Sequence, residues 1–133
     1  MFIYLLFGHV IGDYFLQNSW MAFFKKKAFL PCFVHCSIYT TVVCTALAIY
    51  GLKVSLIFFV CIFYSHWILD RYEVISWWAE KMGIRSWNSF QGELSDSAQI
   101  HQVITIAFGA IVYVVMDNSL HLLLMLLIIK YFT

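Results

Sequence analysis

The sequence predicts an all-α fold, a polytopic transmembrane bundle of four to five helices making up one integral membrane domain over residues 1–133. Three observations lead there. Hydrophobic residues make up 63% of the chain against 11% charged, and the mean hydropathy is +0.85. A soluble core of this size could not hide so many apolar side chains, whereas a bilayer solvates them without burial. The apolar residues also fall into runs near the length of about 20 residues that a spanning helix needs. Finally, the runs are divided by a lysine triplet, a Gly-Leu-Lys turn and one long polar stretch.

The first helix is expected over about 2–24, stopping at Lys25, Lys26 and Lys27. The second covers about 31–51 and opens on Pro31, a residue suited to the first helical turn. The third runs over about 54–80, apolar to Tyr72 and then amphipathic through "EVISWWAEKMG", where Trp77 and Trp78 suit the membrane surface. "IRSWNSFQGELSDS" reads as the longest loop and ends on the N-cap candidates Ser95, Asp96 and Ser97. A fourth helix is expected over about 98–116 and a short fifth over about 119–132. With five spans, seven of eight basic residues lie on one side and only Lys53 on the other. The positive-inside rule then makes that side cytoplasmic, with the N-terminus outside and the C-terminus inside.

Ionisable residues sit inside the oily runs. "FGHVIGDYFLQ" places His9 and Asp13 four residues apart, and "YSHWILDR" repeats the spacing at His66 and Asp70. Residues at i and i+4 share a helix face, so each pair can address one atom. An aspartate in hydrocarbon costs several kcal/mol unless it is paired or lines water, so function must repay it. Counting about 1.5 Å per residue places His35, His66, Asp70 and His101 in the cytoplasmic third, Asp13 and Gln17 somewhat deeper and His9 nearest the midplane. The set His, Asp, His recurs as His9, Asp13, His35 and His66, Asp70, His101, which suggests a two-helix internal repeat. Such a set suits one or two transition-metal ions, zinc, manganese or iron, better than calcium or magnesium.

Other residues carry plainer readings. Cys32, Cys36, Cys44 and Cys61 lie in apolar segments without a C-x-x-C pair and read as reduced small hydrophobes. No basic n-region or A-x-A site marks a cleavable leader. Gly8 and Gly12 form a G-x-x-x-G spacing that makes room beside His9. His121 reads as interfacial, near the outer end of the fifth helix, and the lysine triplet as a headgroup anchor, with attraction of an anionic substrate as the alternative. No Lys/Arg-rich patch suited to nucleic acid is present, and neither is a phosphate loop, H-E-x-x-H or G-x-S-x-G.

The combination "GHVIGDYFLQNSWMAFFKK", "FVHCSIY" and "SHWILDRY" resembles a family of small bacterial and phage inner-membrane proteins known only as a domain of unknown function. That family's pattern is H-x-x-x-D-F-x-x-Q, a lysine, a lone histidine and H-F-x-x-D. The resemblance extends distantly to inner-membrane proteins labelled metal-dependent hydrolases, and implies a polar set at His9, Asp13, Gln17, His35, His66 and Asp70. In the fourth helix only Gln99, His101 and Gln102 answer the family's Asp-Gln and His, and Glu73 stands where a basic residue is common.

The leading reading is a membrane-embedded metal-dependent hydrolase acting from the cytoplasmic leaflet on a lipid-linked or phosphate-containing substrate. His9, Asp13, His35, His66, Asp70 and His101 would be metal ligands, an unligated aspartate (Asp13 or Asp70) or histidine would serve catalysis as base, and Gln17 would orient substrate or a group supporting the ligands. The alternatives are proton or divalent-metal transport, favoured by a file of His and Asp, and a non-enzymatic membrane protein that binds a phage or host partner. The lipid bilayer is the expected surrounding, and a homo-oligomer is compatible with the sequence.

Overall fold

The structure, a computed structural model, describes residues 1–72, 74–81 and 99–132, and at 80, 99–102 and 104–106 the backbone alone. Among them it forms six α-helices and one π-helical turn. Helix α1, Phe2–Val10, passes directly into the π-helical turn Ile11–Phe15, closed by Leu16 N–H donating to the Ile11 carbonyl at 3.0 Å. The chain is then extended at Asn18, whose side chain accepts from Met21 N–H at 2.9 Å and caps α2, Ser19–Phe24. The continuous helix expected over 2–24 is therefore two helices and a wide turn, because an asparagine cap restarts the helix after the π turn has ended.

Helix α3, Phe29–Tyr50, carries Pro31 in its first turn and ends at Gly51, whose φ of 104° is the left-handed conformation that terminates helices. Helix α4, Leu56–Arg71, starts from Ser55, which accepts from Phe58 N–H at 3.1 Å. The expected helix over 54–80 divides here, and α5, Val74–Lys81, is separate. Helix α6 runs from Gln99 to Phe132 without interruption. The break expected between 116 and 119 is absent. Asn118 instead turns its amide back to donate to the Val114 carbonyl at 2.7 Å, which lets a polar residue sit inside a helix. The loop read from "IRSWNSFQGELSDS", its cap residues and Glu73 lie outside the described residues.

The described chain divides into two compact units, Met1–Tyr72 with His121–Thr133, and Glu73–Leu120. In the first, α1 lies against α3 so closely that a Cβ on Gly8 would stand 3.1 Å from Val43 Cα, and one on Gly12 would stand 3.0 Å from the Tyr39 ring. The G-x-x-x-G spacing thus serves packing within the chain. Leu5, Val43, Leu47, Phe58, Ile62, Met125 and Ile129 fill one end of this unit. Phe132 packs on Phe58 at a centroid distance of 5.6 Å, so the C-terminus lies at the Phe58 end of α4. The Arg71 guanidinium, at the other end of α4, donates to the Lys25 carbonyl at 3.2 Å. Lys130 and the lysine triplet therefore lie at opposite ends of the unit, which removes Lys130 from the set expected on one side.

Burial in this unit is inverted relative to a soluble protein. His9, Asp13, His35, His66, Asp70 and His121 are buried, while Phe15 and Leu56 are each 79% exposed and Phe2, Ile3, Phe7 and Ile57 are exposed too. In the second unit Trp77 and Trp78 are exposed, and Lys81 Nζ lies 5.1 Å from the Trp77 ring centroid. Two helical stretches, Phe29–Tyr50 and Ala107–Phe132, are long and apolar enough to cross a membrane. The most apolar window of the latter is only 11% buried inside the protein.

Candidate metal centre

Three helical elements bring four side chains that could hold a metal ion to one point inside the first unit. Asp13 comes from the middle of the π turn. His35 stands near the start of α3, and His66 and Asp70 lie one turn apart at the end of α4. A π turn holds one more residue than an α turn and commonly occurs where a side chain must be re-aimed. Gly12 makes the aim effective, since the absence of a Cβ lets the turn settle on Tyr39.

One atom from each of these residues lies within 4.8 Å of the other three. His35 Nε2 is 2.9 Å from His66 Nε2, 3.0 Å from Asp70 Oδ2 and 3.2 Å from Asp13 Oδ1. His66 Nε2 is 3.3 Å from Asp70 Oδ2 and 3.8 Å from Asp13 Oδ1. Zinc–nitrogen and zinc–oxygen bonds of about 2.0–2.2 Å give a tetrahedron whose edges are about 3.3–3.6 Å. The observed separations bracket that value. Asp13 Oδ1 has no hydrogen-bond partner among the described residues, although two imidazole nitrogens face it. Leaving a buried carboxylate oxygen so costs at least about 1–3 kcal/mol. A cation at the centroid would satisfy all four atoms at once.

A lysine closes the centre on one side. Lys25 Nζ donates to Asp70 Oδ2 at 2.8 Å and to Gln17 Oε1 at 3.0 Å. Its side chain is 14% exposed, against 4% for Asp70, so it lies on the more accessible side of the carboxylate. Gln17, in the extended link after the π turn, touches the centre through this ammonium.

A further group of polar side chains lies behind the ligands. The Tyr39 ring stacks on His66 with centroids 3.5 Å apart and an interplanar angle of 9°. Its hydroxyl donates to Met125 Sδ at 3.2 Å and stands 2.8 Å from His9 Nδ1. His9 Nε2 is 4.0 Å from Asp13 Oδ2, and His121 Nε2 is 3.8 Å from Asp70 Oδ1. His35 Nδ1 and His66 Nδ1 have no hydrogen-bond partner among the described residues. Stacking on Tyr39, rather than a carboxylate on the outer nitrogen, therefore fixes the His66 ring.

Of the residues singled out in the sequence, Asp13, His35, His66 and Asp70 share the centre, His9 stands beside it and Gln17 reaches it through Lys25. The side chain of His101 lies outside the described residues. His121, read as interfacial, is 2% exposed and adjoins Asp70. Its misplacement follows from the break expected near 117: without that break, His121 is carried inward on α6. Lys25 and Tyr39 had no distinguishing local signal, because their contacts span 45 and 30 residues of sequence.

A family model described as "Protein of unknown function (DUF3307)" matches residues 1–133. No curated protein and no solved structure matches the chain.

Proposed function

The chain belongs to the DUF3307 family, and starting from that membership, which assigns no reaction, we propose that it is a membrane-embedded, metal-dependent hydrolase. Its substrate would be a lipid-linked or phosphate-containing molecule reaching the centre from the Lys25 end. The observation that carries this reading is the convergence of two buried imidazole nitrogens and two buried carboxylate oxygens at tetrahedral separations, one oxygen lacking a hydrogen bond among the described residues. Burial of these charges inside a unit that turns Phe, Leu and Ile outward supports a lipid surrounding.

A metal bound there would lower the pKa of a water toward neutrality and polarise the scissile bond. His35 and His66 would be neutral ligands, and Asp13 and Asp70 would supply the compensating charge. A carboxylate oxygen or imidazole not engaged by the metal would accept the proton of the attacking water. The Lys25 ammonium, held by Gln17, would bind the anionic part of the substrate and orient it.

Metal content of protein purified in mild detergent, without a metal-affinity column, tests this. At least one equivalent of zinc, manganese or iron is expected in the wild type and loss of it in folded His66→Ala and Asp13→Asn, together with loss of phosphoester hydrolysis. A wild type that takes up no stoichiometric metal after reconstitution would sink the proposal.

A row of imidazoles favours transport as a second reading. His35, His66, His121 and His9 follow one another with centroid separations of 5.0, 4.6 and 5.6 Å. Such a file could pass protons or a divalent ion. Proteoliposomes showing proton or metal flux without hydrolytic turnover would select it, and turnover without flux would remove it.

A further inference from the structure

We infer that the end of α4 seats the phosphate of a membrane lipid on Arg71, with the rings of Phe29, Phe33, Phe63 and Trp67 along the lipid's chain. The seat stands on the surface alone, whereas naming that lipid as the substrate of the neighbouring centre rests on the hydrolytic reading above and commits it to a lipid. Phe63, Trp67 and Arg71 follow one another at intervals of four residues on α4, so they form one row along the helix. The row is aromatic until its last member, which is cationic. The start of α3 supplies a second row beside it. Phe29 stacks on Phe33 with centroids 5.8 Å apart, Phe29 meets Trp67 at 5.3 Å and Phe33 meets Phe63 at 5.7 Å. Phe29, Leu30 and Phe33 are exposed even so, and Phe63 and Trp67 are half-buried.

Two properties of this face match a lipid. The first is where its charge lies. The Arg71 guanidinium donates to the Lys25 carbonyl at 3.2 Å, which fixes the fork against the turn that carries Lys26 and Lys27. Arg71 and the lysine triplet thus stand at one end of an otherwise apolar face, and a planar guanidinium suits phosphate oxygens better than a point charge does. The second is length. From Arg71 back to Phe63 the helix rises about 12 Å at about 1.5 Å per residue, close to half of a hydrocarbon core about 30 Å thick. An anion joined to a hydrocarbon chain of one leaflet's depth is the chemistry that satisfies both.

One residue joins the seat to the centre. Lys25 gives its carbonyl to Arg71 and its ammonium to Asp70. Asp70, the neighbour of Arg71 in the chain, turns inward to His35 and His66. A phosphate on the guanidinium is therefore held beside a ligand of the proposed metal, and the Asp70 charge nearest to it is already compensated by the Lys25 ammonium.

Native mass spectrometry of the full chain in detergent, stripped of metal so that no lipid is consumed, tests the seat on the wild type itself. Phosphatidic acid should bind more tightly than diacylglycerol with the same chains by about tenfold, or about 1.4 kcal/mol, and inorganic phosphate should not displace it. Equal binding of the two lipids, or displacement by inorganic phosphate at matched concentration, overturns the lipid seat. Arg71→Gln should abolish the preference, and Phe29→Ala, which removes an exposed ring, should weaken both lipids. A wild-type preference in Arg71→Gln overturns the assignment of Arg71, and wild-type affinities in Phe29→Ala overturn the path of the chain. Metal uptake without the lipid preference removes the seat and leaves the metal-dependent hydrolase standing; the preference without any uptake of zinc, manganese or iron removes the hydrolase and leaves the seat.

Discussion

Lys25 holds the most consequential position among single residues, because its ammonium bonds the same Asp70 oxygen that a metal would take. Without metal it is the nearest cation to two buried carboxylates; with metal it competes for one of them. Lys25→Met should therefore have two opposed effects. Metal-free protein should melt at a lower temperature, since an uncompensated buried charge is strongly unfavourable. Metal should bind more tightly, by roughly tenfold if the competition is worth about 1.4 kcal/mol. Thermal unfolding with and without zinc, and a binding titration, measure both; a variant that binds metal more weakly than wild type would make Lys25 a support of the site. The residue-level reading of the sequence could not contain this. The pairs His9/Asp13 and His66/Asp70 are visible because i and i+4 share a helix face. No local spacing ties Lys25 to Asp70, and the sequence offered a lysine triplet that reads as a headgroup anchor or an attractor of anionic substrate, not as a partner of Asp70.

Two elements depart from the sequence expectation, and both departures place site residues. The π turn Ile11–Phe15 carries Asp13, and only the absence of a side chain at Gly12 lets it meet Tyr39. Gly12→Ala would force its new methyl within 3.1 Å of the Tyr39 backbone. Overpacking of this type costs about 1–3 kcal/mol. The expected result is a folded protein with a lower melting temperature and a metal affinity reduced more than in Gly8→Ala, which crowds α3 away from Asp13. Equal affinities in the two variants would show that the π turn does not set the aim of Asp13. Periodicity could not reveal the turn, because an apolar stretch with one inserted residue reads the same either way. The long α6 was hidden for the opposite reason. Asp117 and Asn118 look like a break in an apolar run, yet Asn118 bonds back to Val114 and the helix continues, carrying His121 to Asp70.

At the scale of the whole molecule, the buried polar groups and the exposed apolar ones exchange their usual places, and the first unit must find its stability accordingly. Its apolar residues meet at one end, from Leu5 to Ile129, whereas the other end is organised by histidines and carboxylates paired with one another and with Lys25. Composition announced the exposed apolar surface, since 63% hydrophobic residues cannot all be inside 133, but not its distribution: Phe29–Tyr50 and Ala107–Phe132 are the stretches long and apolar enough to cross a membrane among the described residues. If the centre takes up an ion, that ion would also support the fold. An ion that binds only the folded chain adds about 2.7 kcal/mol at a hundredfold excess over its dissociation constant, which for a domain of this length raises the melting temperature by about 5–10 °C. Chelation should remove that increment in the wild type, and zinc or manganese should restore it. In His66→Ala neither addition should move the transition, because the remaining imidazole and carboxylates no longer enclose a point at tetrahedral distance. A wild type whose melting temperature ignores both chelator and metal would mean that the polar end is held by its own hydrogen bonds and by Lys25 alone.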